Sequence, residues 1–131
     1  MTTSRIVKAV RSIGLEYRLA AGVDTLVVAK HPKARSAVHL IFIREKVRQE
    51  YLDEVPGFSE PTVSEEGFLL APVADLVRMK LTSFRSRDRA HIIDLDSVGL
   101  ITPEIEQSLP DALRDRLEHV REEERQSTGA E

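Results

Sequence analysis

The sequence contains no cysteine, which removes a disulfide framework, a thiolate zinc site and a cysteine nucleophile together. It has no apolar run near the roughly 18 to 20 residues that a membrane-spanning helix needs. Its four histidines, His31, His39, His91 and His119, are scattered, with no HExxH or paired spacing, so no metal ligand set is expected. There is no glycine-rich phosphate loop, and Ser59, Ser64 and Ser83 have no evident triad around them. The net charge of −3 gives no overall attraction to nucleic acid, so contact with a polyanion would need a local patch.

What is present has the balance of a globular chain: 131 residues, 41% hydrophobic and 31% charged, the size of one ordinary domain. No repeat, low-complexity segment or linker divides it, and the reading is a single domain over residues 1–126 with a frayed tail at 127–131. The opening text "MTTSRIVKAVRSIG" interleaves basic and apolar residues at helical spacing and lacks the apolar core of a signal peptide. A first helix and a cytoplasmic location, away from membranes, are expected.

Ser4 suits a helix cap before Ile6, Val7, Val10 and Ile13, and Gly14 suits its end. "EYRLAAGVDTLVVA" reads as two β-pieces split near Ala21-Gly22, a hairpin or bent strand. "AVHLIFIR" is apolar on both faces and predicts a central strand covered on each side. Glu45 to Gly67 reads as a surface excursion, and "GFLLAP" as a short strand. Pro72, Pro103 and Pro110 each suit a helix start; helices are expected from Pro72 to about Phe84, from about Asp88 to Val98, and beyond Gly99. This order predicts an α+β fold, a small mixed sheet with helices packed on it and a C-terminal helical hairpin.

In the helix after Pro72, Val73, Leu76, Val77, Leu81 and Phe84 form a core-facing stripe, and Lys80 interrupts it. A lysine there either extends its ammonium to water past its apolar stem or meets an anion. Arg85, Arg87 and Asp88 follow at the junction of two helices, where Ser86 or Asp88 suits the cap; the junction reads either as a modest anion site, from the free N–H groups and two arginines, or as a capped helix with solvated arginines. On the next helix Arg87, His91, Asp94 and Val98 share a face. Asp94 is placed to pair with Arg87 or Lys80, with His91 packed beside them.

The segments "VHLIFIREKVR" and "FLLAPVADLVRMKLTSFRSRDRAHIIDLDSVGLI" together resemble the later part of nucleotidyltransferase-like proteins of the AbiEii toxin group, within the polymerase-beta-like superfamily. The resemblance covers roughly Ile13 to Leu117. It implies a nucleotidyltransferase-like fold in which Lys80 faces the phosphates of an NTP, Arg85, Arg87 and Asp88 support it, and Asp94 locks the helical hairpin. The family reaction is nucleotidyl transfer through Mg²⁺ held by carboxylates. Two departures stand against it. No D-x-D stands beside a G-G or G-S, as though the chain began too late to contain them, and the "DLD" of Asp94 to Asp96 falls on a predicted helix, where i and i+2 point apart. The position of the third carboxylate is His39, a poor magnesium ligand.

The expectation is therefore a protein that binds NTP phosphates but is catalytically incomplete, with Mg²⁺ and NTP as cofactors only if the family activity survives. An alternative is a non-enzymatic interaction module such as a toxin–antitoxin component; another is an active transferase using Asp24, Glu45 or His39 as substitute ligands. Nucleic acid would enter only as an acceptor. An exposed sheet edge would invite a homodimer or a partner chain.

Overall fold

A computed structural model describes residues 3–58 and 60–129. The chain divides into two compact units, Met1–Phe42 and Ile43–Glu131, at a place where the sequence reading draws no boundary. The fold is mixed α and β. Its two sheets, of three and two strands, are wholly antiparallel rather than mixed.

In the first unit, helix α1 (Thr3–Arg11) leads into strands β1 (Leu15–Ala20), β2 (Val23–Val28) and β3 (Val38–His39), ordered β1-β2-β3. The β1–β2 register runs from Leu15 opposite Val28 to Ala20 opposite Val23. This leaves Ala21 and Gly22 as a two-residue turn, both at positive φ (49° and 78°). That backbone is the one whose twist matches a hairpin, so of the two sequence alternatives the hairpin is the one formed. Val10, Leu26 and Val27 are buried in this unit.

The central-strand expectation for "AVHLIFIR" is corrected. Only Val38 and His39 pair, with Leu26 and Thr25, and Leu40 adds an N–H donated to the Asp24 carbonyl at 2.8 Å. The run is an edge strand, and Val38, Ile41 and Ile43 stay about half exposed. An all-apolar run reports preference for burial, not that two neighbours exist to provide it.

In the second unit, a hairpin of β4 (Thr62–Val63) and β5 (Leu69–Leu70) precedes helices α2 (Val73–Ser83), α3 (Ser86–Ser97), α4 (Pro103–Ser108) and α5 (Asp111–Thr128). The segment before it is more than a surface excursion. Val55 is buried and is bonded in both directions to the backbone of Arg44 and Glu45, while Asp53 accepts from Arg78 Nε at 2.8 Å. The core is helix on helix, made of Val77, Leu81, Ile92, Leu113, Leu117 and Val120 with Ile101 and Leu109 from the connections.

The helix boundaries follow local chemistry. Pro103 is the first residue of α4, and the Thr102 hydroxyl accepts from the Ile105 N–H. Gly99, at φ 74°, ends α3 with the Leu100 N–H donated back to the Leu95 carbonyl at 3.0 Å, a left-handed close that glycine adopts without strain. The final helix continues through Thr128, past the start of the expected tail; Ala130 and Glu131 lie outside the described residues.

Candidate functional site

The α2–α3 junction gathers most of the residues singled out in the sequence. Its centre is Asp88, one turn into α3 and 1% exposed. A buried carboxylate is costly unless its lone pairs are filled, and here they are. Oδ1 accepts from Lys80 Nζ at 2.9 Å and Arg85 Nη2 at 3.4 Å. Oδ2 accepts from the Ser83 hydroxyl at 2.7 Å, Arg85 Nε at 2.8 Å and the Arg85 backbone N–H at 3.2 Å.

The last of these bonds is the return half of a capping box, in which the third helical residue reaches back to the cap. Arginine has no acceptor with which to complete the other half, so the box is one-sided and the guanidinium binds the carboxylate instead. Burial pushes the Asp88 carboxyl up. The bonds from Arg85, Ser83 and Lys80 outweigh it and hold the group well below the usual carboxylate range.

This geometry explains the lysine on the apolar stripe. Val73, Val77, Leu81 and Phe84 face the core, whereas Leu76, 37% exposed, lies at its rim one turn before Lys80. The Lys80 side chain is 23% exposed and its ammonium meets Asp88. Both sequence alternatives, reach to water or reach to an anion, resolve to an anion within the fold.

A second clamp lies beside the first. Phe84 ends α2 in the left-handed region, at φ 51°, an unfavourable place for a bulky side chain. Arg116 of α5 lies over its ring at 4.6 Å and donates through Nη1 to the carbonyls of Leu81 and Thr82, at 2.7 and 2.9 Å. These are carbonyls that the end of a helix leaves without intrahelical partners. Burial lowers the Arg116 pKa from its ordinary value. Sequence reading missed this residue, because nothing local to "RDRLEHV" distinguishes it from an exposed helical arginine.

Other sequence-predicted residues are not brought together. Arg87 and Asp94 are exposed and His91 is half-buried. The pair expected between Asp94 and Arg87 or Lys80 is not formed, since Lys80 is committed to Asp88 and Asp94 faces solvent. The acid that does tie the helices is Asp96, bidentate to Arg121 at 2.9 Å through both Nε and Nη2; Arg121 also meets Glu106 and Glu118. An open depression of about 520 Å³ between α3 and α5 is lined partly by Asp96, Glu118, Arg121 and Arg125. Its lining sets Asp96, Glu118 and Glu124 against Arg121 and Arg125, so it offers no surplus positive charge to an anion.

In the first unit His39 is exposed on β3, and Asp24 accepts from the Tyr17 hydroxyl, a bond that raises the Tyr17 pKa above its ordinary value. Among the described residues, no three histidine, aspartate or glutamate side chains converge as a metal site. Ser59 lies outside the described residues. Ser83 is engaged with Asp88, and the Ser64 hydroxyl accepts from the Phe68 N–H. No helix among the described residues is long and apolar enough to cross a membrane.

No family model, curated protein or solved structure matches the chain.

Proposed function

We propose that the chain binds a phosphate-bearing ligand of the nucleotide class at the amino end of α3, as a nucleotidyltransferase-like protein without metal-dependent transfer of its own. The observation that carries this reading is the charge left over at the junction. Lys80 and Arg85 together carry two positive charges against the one buried charge of Asp88. Arg85 spends Nε and Nη2 on Asp88, yet 67% of its side chain is open to solvent, beside exposed Arg87.

Phosphate oxygens would meet the remaining Arg85 donors, Arg87 and the first N–H groups of α3. Lys80 enters as the residue that keeps Asp88 from cancelling Arg85, rather than as a direct phosphate ligand. The likeness of this segment to the lysine-to-RDR text of the AbiEii group supports the same assignment.

The test is a thermal-unfolding titration with ATP, GTP, CTP and UTP, with and without Mg²⁺, on the wild type and on Arg87→Ala. Arg87 is the residue to change because its exposure leaves the fold intact. A ligand at about 100 times its dissociation constant stabilises the native state by roughly 2.7 kcal/mol. A shift with one nucleotide that is lost in Arg87→Ala is expected; no shift with any of the four rejects the reading.

A second reading, a non-enzymatic interaction module such as a toxin–antitoxin component, is supported by exposed apolar side chains on the sheets. They include Leu19 and Val38 in the first unit and Leu69 and Leu70 in the second, each at least half exposed.

A further inference from the structure

We propose that two copies of this chain pair through β1, antiparallel and with Tyr17 on the twofold axis, to make one continuous six-stranded sheet. The inference rests on the hydrogen-bond parity and the sequence of that strand, and is independent of the phosphate reading.

The parity is fixed by the turn. Ala20 and Val23 flank the two-residue turn and are register partners, and residues in that position bond to each other. The same parity holds at the far end, where the Ala29 N–H donates to the Gly14 carbonyl at 3.1 Å. Residues 14, 16, 18 and 20 therefore direct their backbone groups to β2. Leu15, Tyr17 and Leu19 direct theirs outward, and among the described residues no backbone hydrogen bond from another element reaches them. An open edge six residues long is a template for another strand, whereas β3, at two residues, is too short to serve.

The edge reads "LEYRL", a sequence complementary to itself when reversed. With Tyr17 opposite Tyr17 of the second copy, Leu15 faces its Leu19 and Glu16 faces its Arg18, twice each by symmetry. The three outward residues would exchange about six main-chain hydrogen bonds. Glu16 and Arg18 fall at the close-approach positions where opposite charges favour pairing. Both are about half exposed and meet each other only within the strand, at 3.3 Å. Leu19, 67% exposed, gains an apolar neighbour. A one-residue shift of this register would place the outward bonding groups against groups already used by β2, so the parity permits the self-complementary register and forbids its neighbours.

Sedimentation of the full chain over a concentration series tests this. A reversible dimer is expected, weakened on the order of tenfold or more by Arg18→Glu, which sets like charges opposite each other twice. The double variant Glu16→Arg/Arg18→Glu should restore it. Far-UV circular dichroism shows that each variant folds, and amide exchange should slow at Leu15, Tyr17 and Leu19 as the dimer fills. A wild type monomeric throughout, a dimer indifferent to Arg18→Glu, or no rescue by the folded double variant each overturns the proposal.

Discussion

Lys80 and Asp88, eight residues apart on successive helices, meet at 2.9 Å with the carboxylate 1% exposed and the lysine side chain 23% exposed. The asymmetry matters. The lysine retains water for part of its hydration, while the aspartate relies almost wholly on the protein.

Removing the two partners should therefore have unequal effects. Asp88→Ala leaves the ammonium, the Ser83 hydroxyl and the Arg85 N–H without their acceptor, and a cost of about 3 kcal/mol is expected. Lys80→Met keeps the apolar stem and leaves Arg85 and Ser83 on the carboxylate, so about 1–2 kcal/mol is expected. The double variant Lys80→Met/Asp88→Ala should cost less than the sum, because losing the carboxylate no longer strands the Lys80 ammonium. Urea unfolding of the four proteins measures the cycle; strict additivity would mean that the pair is not coupled.

Acid should expose the same group. Asp88 is held below its unfolded value, near ~3.9 for an aspartate, by its hydrogen-bond donors. Its contribution is thus fully present above the unfolded value, falls away as pH drops through the interval down to the folded value, and is absent below both. The stability difference between wild type and Asp88→Asn should be constant from about pH 6 to 7 and shrink below about pH 4. Unfolding free energies at a series of pH values check the sign; a difference that grows in acid would contradict the assignment.

Ala21 stands at φ 49° in a turn that favours Asn-Gly. Ala21→Asn is expected to stabilise the β1–β2 hairpin by about 0.5–1 kcal/mol, since asparagine tolerates the left-handed region better than alanine. Amide exchange within the hairpin reads this directly, and faster exchange in the variant would count against the turn geometry.

Much of the second unit was legible because its signals are local. The spacing of Val73, Val77, Leu81 and Phe84 and the prolines at the starts of α2, α4 and α5 each act within a turn or two of chain. The break between β1 and β2 was legible at Ala21-Gly22 for the same reason, although a bent strand would have read the same way. Two kinds of information were not local. The surroundings of "AVHLIFIR" depend on which strands reach it, and its composition carries no trace of that. At the junction, sequence placed Lys80, Arg85 and Asp88 together but could not orient them. A buried carboxylate fully satisfied by its own neighbours and a cleft open to a ligand require the same residue types at the same spacing. Asp94 and Asp96 show the same limit: both lie on α3, and only the position of α5 and its Arg121 decides which of them is used.

Arg116 bonds a carbonyl 35 residues earlier in the chain, so the last turn of α2 is completed by a residue far downstream of it. A chain cut back before Arg116 keeps all of α2 but lacks the guanidinium that lies over the Phe84 ring and caps the Leu81 and Thr82 carbonyls. Its α2 end would stay open to proteases, and restoring the last helix would close it.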